Sequence, residues 1–352
     1  MARPLRARGR LVHALHRRGA DLGFAVELDR SPPGADEATR RWRAGEPVFL
    51  PGVLGDAPAR HDRAIRSCLA MFDRLRAGGR FVDELERRLH ADPDLQYAGS
   101  TVDRDDPREV ERVFVDAHPA GEPPAVDLWA KLAWIANDAS DRSLRIRFSA
   151  GREQIEEWMA ASDHTAGWVD QFAARAFPEC AAVLQCAALR AHLDRMLARP
   201  HRLSERILYN NAPGGGAVFH HDAEPGQLGV CFSQLQGSTA WLSLGKRRLA
   251  ALLVRVGFAR THHHAMAALD GPEDERLWRL LNRDAAFTAQ IAAHGGLFVL
   301  HAGDCILLPS HGIDDVAWHS VLALGRRPSL AHSYGLFPRA VDYPVAADPA
   351  RR

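Results

Sequence analysis

The chain has 352 residues, 46% of them apolar and 25% charged, enough to bury a sizeable core in one or two domains. Its 45 basic and 44 acidic residues leave a net charge of +1, so no global field steers it towards nucleic acid. No run approaches the roughly 20 apolar residues of a membrane span, the basic start is followed by no secretory segment, and the five scattered cysteines lack zinc-site or disulfide spacing. A cytoplasmic protein with reduced thiols, no membrane contact and no nucleic-acid partner is expected.

Apolar residues at helical spacing predict helices over 11–22, 64–75 and 81–89. The run 46–54, with Pro47, Pro51 and Gly52, suits an edge strand instead. A polar, proline-bearing connection over 103–124 then leads to 128–136, whose apolar positions predict a packed helix. Strict alternation of apolar and basic residues over 144–149 predicts a half-buried strand. Helical patterns return over 153–159 and 168–197, the second broken at Pro178.

From residue 207 the pattern changes to short apolar runs punctuated by Gly and Pro, at 207–210, 217–221, 228–235, 239–244, 296–301, 305–308, 318–324 and 329–337. Eight such runs predict a barrel or jelly-roll pair of sheets. Residues 246–294 interrupt them with a helical pattern and read as an insertion. Its run His262, His263, His264 fits a solvated or pocket-rim position, because consecutive residues on a helix diverge in direction.

The chemistry concentrates in Tyr209-Asn-Asn-Ala-Pro-Gly-Gly-Gly-Ala-Val-Phe-His-His-Asp222, a glycine turn leading into a strand. Residues two apart in a strand share a face, so His220 and Asp222 point together while His221 points away. An imidazole and a carboxylate make two-thirds of a 2-His-1-carboxylate metal site. The third ligand is expected from His319, which opens a strand after the turn at Gly303 and a loop at 309–316. Three protein ligands leave about three of six octahedral positions for O2 and a bidentate 2-oxoacid.

With these residues the chain resembles the cupin-like and Jumonji-type branch of the iron(II)/2-oxoglutarate oxygenase superfamily. The shared features are His220-His-Asp222, Gln234-Leu-Gln-Gly237 with Trp241 following, and Trp318-His319, and they span roughly 205–340; 47–54 resembles the strand that opens the Jumonji-type fold. The resemblance implies an α+β protein, with a double-stranded β-helix (jelly-roll, cupin-like) core over 205–340. A mainly helical region over 1–204 would add outer strands at 46–54 and 144–149, the insertion 246–294 would act as a lid, and 341–352 would be a tail.

It further implies Fe(II) held by His220, Asp222 and His319, with 2-oxoglutarate and O2 as co-substrates for oxidation, usually hydroxylation, of a small molecule or peptide side chain. The distal carboxylate of 2-oxoglutarate needs a cation, since a buried unpaired carboxylate costs several kcal/mol. Jumonji-type members often place a lysine where this chain has Thr239. Arg327-Pro-Ser329 resembles the Arg-x-Ser anchor of other branches, with Arg326 the alternative if the strand register slips by one. Tyr209 or Asn211 is expected to touch the co-substrate, and Thr239 is counted among the co-substrate contacts by its place in the resemblance. An iron oxygenase that does not use 2-oxoglutarate and a non-catalytic cupin-like binding protein are the competing readings.

Overall fold

The computed structural model describes residues 31–136, 140–151, 163–222, 226–271 and 274–338, and the backbone alone of 5–7, 10–17 and 20–28. The helix expected over 153–159 and the tail 341–352 lie outside the described residues. The chain begins with a small antiparallel sheet of β1 (Leu5–Ala7), β2 (Arg10–Arg17) and β3 (Ala20–Leu28). The helix expected over 11–22 is therefore replaced by strands, with β2 and β3 pairing antiparallel. Strand pairing between neighbours overrides a spacing signal this short.

Next come α1 (Ala35–Arg43), the three-residue strand β4 (Val48–Leu50), α2 (Ala57–Arg60), α3 (Asp62–Arg76) and α4 (Phe81–Leu89). Both α3 and α4 bury their apolar stripe, Ile65, Cys68, Met71 and Phe72 in the first and Phe81, Val82 and Leu85 in the second, as the periodicity predicts. Then follow β5 (Leu95–Thr101), β6 (Glu109–Ala117), β7 (Ala125–Trp134) and β8 (Leu144–Ala150). Three helices, α5 (Asp163–Ala176), α6 (Ala181–Leu184) and α7 (Ala187–Leu197), complete this half, with a 3-10 turn starting at Pro178.

Two expectations fail here. Residues 128–136 lie largely in the strand β7, and the connection 103–124 contains the strand β6. In β7, Leu128, Trp129, Ala130, Leu132 and Ala133 are all buried, so the strand shows apolar runs on both sides of Lys131 instead of alternation, which periodicity cannot tell from a buried helix. In β6 the pattern is hidden by charges that are buried because they are paired. Glu109 binds Arg112 at 3.0 Å and Lys131 at 2.9 Å, and Glu111 accepts the Phe81 amide at 2.7 Å at the start of α4.

The second half carries β9 (His201–Asn211), β10 (Gly229–Gln236), β11 (Ser238–Gly245), the helices α8 (Lys246–Arg255), α9 (His262–Asp270), α10 (Glu275–Arg283) and α11 (Ala285–Ala293), then β12 (Leu297–His301), β13 (Cys305–Pro309), β14 (Ala317–Leu324) and β15 (Ser329–Pro338). The large sheet runs β4-β13-β10-β15-β9-β8-β7-β6-β5, and the small one β12-β11-β14. Residues 214–220 add a strand-like segment antiparallel to β14, through Gly214 N to Ala323 O, Ala217 N to Val321 O and His220 N to His319 O. Followed along the chain from β9, these eight segments lie in the large, small, large, small, small, large, small and large sheet. That alternation, antiparallel throughout, is a double-stranded β-helix.

The two sheets pack face to face over Phe49, Phe232, Trp241, Phe298, Ile306 and Leu308. The outer face of the large sheet is covered by the helices of the first half, around Phe72, Phe172 and Tyr334. The small sheet is covered by α8 to α11, around Leu249, Leu253, Phe287 and Ile291. Strand β4 sits at one end of the large sheet beside β13, the edge position its prolines require. Among the described residues no helix is long and apolar enough to cross a membrane.

Candidate metal centre

The glycine turn sets the position of the first two candidate ligands. Asp141 Oδ2 accepts the Gly216 amide at 2.9 Å and Ser143 Oγ accepts the Ala212 amide at 2.9 Å, pinning the turn to the start of β8. A Cβ on Gly215 would stand 2.1 Å from Asp141 Oδ1, and one on Gly216 would stand 2.2 Å from the Val321 carbonyl. Gly215→Ala is therefore expected to destabilise the fold by about 1–3 kcal/mol through overpacking, read as a lower denaturation midpoint. Between the pairs Ala217/Val321 and His220/His319 the segment carries one extra residue, a bulge that re-aims the side chains after it.

His220 and His319 face each other as a bridge, exchanging backbone hydrogen bonds of 2.9 and 2.8 Å, with ring centroids 4.2 Å apart. Asp222 closes the triangle: its Oδ1 lies 3.5 Å from His220 Nε2 and its Oδ2 3.5 Å from His319 Nε2. The ligand atoms of all three lie within 4.8 Å of one another. His220 Nδ1 is held by the Val218 carbonyl at 2.7 Å, so its Nε2 is the nitrogen left for a metal. His221 points away, as the strand period predicts, and meets the edge of Trp318, the residue that alternates with His319 on β14.

His319 stacks on Trp241, with centroids 5.4 Å apart and ring planes at 22°. Trp241 is itself fixed: its Nε1 donates to Thr239 Oγ1 at 3.0 Å, Thr239 donates to Gln234 Oε1 at 2.8 Å, and the Gln234 amide donates to the Gln236 and Leu330 carbonyls. Thr239, expected among the co-substrate contacts, instead spends its hydroxyl in this relay, fully buried. The Gln-x-x-Gly turn thus supports the ring against which His319 rests.

Protonation favours metal binding. Burial pushes His319 down to about 3, with the nearby His220 adding and Asp222 opposing. Burial alone would raise Asp222, but His319 and His220 outweigh it and hold the carboxyl below its ordinary value. An unfolded chain protonates His319 near 6.5 while the folded one does not, so the unfolded state binds more protons between those values. The metal-free protein is expected to lose stability as the pH falls from about 6.5 towards about 3, and His319→Gln to lose less, in denaturation midpoints taken across that window.

The three residues end a cavity of about 630 Å³, within the roughly 300–1,000 Å³ of small-molecule sites. One wall comes from inward-facing residues of the large sheet: Tyr209 and Asn211 on β9, Val230 and Phe232 on β10, and Ser333 on β15. Tyr209 and Asn211 are thus both placed where a co-substrate would lie. His332, which alternates with Ser333, faces the other way and meets Glu179 at 3.7 Å in the helical layer.

The anchor expected at Arg327 is not in the cavity. Arg327 is exposed in the turn before β15, and Ser329, although buried opposite Asn211, does not line the space either. Arg326 is exposed in the same turn. The tight turn over 325–328 lifts both arginines off the sheet before the strand begins. A different arginine takes the interior position: Arg145 on β8, directly across from Tyr209. Its Nε is buried without a hydrogen-bond partner, and burial, more than its neighbours Arg147 and Arg108, pushes the guanidinium below its usual pKa against the pull of Tyr209 and Asp106. The alternation at 144–149 marked Arg145 as a strand residue, but the basic positions were assigned to solvent. Nothing local reveals that this strand extends the large sheet past β9 and turns that face inward.

No family model and no curated protein matches the chain. Solved structures similar to it include the non-haem α-ketoglutarate-dependent epimerase SnoN from nogalamycin biosynthesis, at 13% identity over 86% of this chain and 82% of that one, TM-score 0.35. AviO1 from Streptomyces viridochromogenes is 12% identical over 88% and 97%, TM-score 0.39. HygX from Streptomyces hygroscopicus, solved with nickel, 2-oxoglutarate and hygromycin B bound, is 14% identical over 89% and 88%, TM-score 0.33.

Proposed function

We propose that this protein is a non-haem iron(II) oxygenase that uses 2-oxoglutarate and O2 to oxidise a small molecule, with His220, Asp222 and His319 as the metal ligands. The observation that carries this reading is the convergence of two imidazoles and one carboxylate, their ligand atoms within 4.8 Å, on the wall of a cavity of small-molecule size. Two imidazoles and one carboxylate match the facial set that leaves open positions on non-haem iron.

Iron(II) held there would supply O2 activation coupled to decarboxylation of 2-oxoglutarate to succinate and CO2, the second oxygen atom going to the substrate as a hydroxyl in the usual outcome. The chain's own residues orient and shield. Trp241 and the Val218 carbonyl fix the two rings, and Phe232, Val230, Leu308 and Val321 keep the cavity wall dry. Arg145, half-buried with its Nε out of solvent, is the cation available for the distal carboxylate of 2-oxoglutarate, and it takes the role that the sequence pattern placed on Arg327 with Ser329. Tyr209, across from Arg145, and Asn211 would complete that end.

The reading is tested by adding 2-oxoglutarate anaerobically to the iron(II)-loaded protein and recording the weak visible metal-to-ligand charge-transfer band. A band that saturates with 2-oxoglutarate is the expected result. Iron binding with no band at any concentration would shift the reading to an iron oxygenase that does not use 2-oxoglutarate, and absence of iron binding to a cupin-like binding protein.

A further inference from the structure

We infer that the mouth of this cavity recognises a small substrate bearing an anionic group, a carboxylate or a phosphate, which Arg283 binds while a planar or apolar part of the molecule lies on Trp278. The inference deepens the proposed function and rests on it in placing the reaction at the inner end of the same cavity.

Charge accounting points there first. Three arginines line the cavity, Arg108, Arg145 and Arg283, against one carboxylate, Asp222. A divalent metal at the inner end would add two positive charges, and 2-oxoglutarate would remove two, one carboxylate on the metal and one on Arg145. Arg108 is shared with Asp106, at 3.5 Å from its Nε. Arg283 is left as the cation without an ion pair to any carboxylate among the described residues, and its guanidinium lies 5.6 Å from the centre of the Trp278 ring. A cationic substrate would meet uncompensated repulsion in this space, whereas an anion neutralises it.

The geometry is built for recognition. Trp278 and Arg283 both stand on α10, the helix of the insertion that reaches the cavity. Elsewhere on that helix Arg279 pairs with Glu275 in solvent, as a surface arginine ordinarily does. Trp278 leaves 39% of its surface exposed at the rim, an apolar platform open to the cavity. The cation-π contact holds the guanidinium over the ring with its N–H fork free for a carboxylate or phosphate.

The helix is also locked to the metal strand. Asn282 is 4% exposed, its Oδ1 accepts the Phe219 amide at 2.9 Å, and its Nδ2 donates to the Trp278 carbonyl at 3.0 Å. Phe219 precedes His220. The platform and the arginine, on either side of Asn282 in sequence, are therefore set in fixed register with a candidate ligand, which lowers the entropy lost on binding.

The test uses zinc-loaded, 2-oxoglutarate-saturated protein and three matched probes, indole-3-propionate, its neutral amide and phenyl phosphate, titrated by calorimetry. At least one anionic probe is expected to bind roughly tenfold or more tighter than the amide, the scale of a charge-assisted hydrogen bond. Arg283→Gln is expected to abolish that preference, and Trp278→Ala to weaken acid and amide alike. The tighter of the two anions identifies the group. Arg326→Gln, in the exposed turn, is expected to change nothing. Binding of both anions no tighter than the amide, a preference that survives Arg283→Gln, or no binding of either anion overturns the inference. If 2-oxoglutarate itself fails to bind while the preference and its loss in Arg283→Gln persist, the co-substrate reading falls and the anionic mouth stands.

Discussion

Replacing His319 with alanine is expected to strip the protein of tightly held iron(II) and with it all 2-oxoglutarate-dependent O2 consumption. His319 is the best-fixed of the three candidate ligands: its backbone is bridged to His220 in both directions and its ring is stacked on Trp241. Removing it leaves one imidazole and one carboxylate, both about 38–39% exposed, too few donors to hold iron against water. The loss is expected to exceed the roughly 10–100-fold typical of losing an outer partner of a ligand. Bound iron after desalting is the readout, and an unchanged circular dichroism spectrum separates ligand loss from unfolding. A less severe companion is Thr239→Val, which cuts the relay from Gln234 to Trp241 while keeping all three ligands. It is expected to weaken iron affinity within that 10–100-fold range, because it releases the ring behind His319 and not the ligand itself. Iron retention equal to wild type in His319→Ala would refute the metal assignment.

The jelly-roll half was legible because its strands obey the rules that make sequence readable. The runs from 228–235 to 329–337 alternate or form short buried stretches closed by glycine turns, and each is a strand. The helical insertion was equally plain, since α8 and α10 bury clear stripes such as Leu249, Leu253, Leu277 and Leu281. The first half was harder for a physical reason. In β7 apolar residues sit on both faces, so they do not alternate, and in β6 charges such as Glu109 and Glu111 occupy buried positions because they have partners. At the site, spacing brought His220 to Asp222, and the eightfold strand pattern brought His319 to both. What it missed, Arg145, Arg108, Trp278 and Arg283, comes from elements whose approach to the cavity is set by tertiary packing alone.

Arg145 and Arg327 separate the structural assignment from the sequence expectation most sharply. Arg145→Gln is expected to raise the 2-oxoglutarate concentration needed for half-saturation about a hundredfold, the roughly 3 kcal/mol cost of removing one partner of a buried charge pair. Arg327→Ala is expected to leave it unchanged, because its side chain stands in an exposed turn outside the cavity. Stability supplies the control. With no co-substrate present, Arg145 is a cation pushed below its usual pKa by burial, with an unpartnered Nε, an arrangement that costs the fold free energy. Arg145→Gln is thus expected to match or exceed wild type in thermal midpoint when ligand-free, yet to lose the stabilisation that 2-oxoglutarate gives the wild-type protein by binding only the folded state. A residue kept for packing would show the opposite pattern, a lower midpoint with ligand affinity intact. Should Arg327→Ala, and not Arg145→Gln, abolish the ligand-induced rise, the turn over 325–328 must fold inward in solution and the anchor lies where the sequence pattern first placed it.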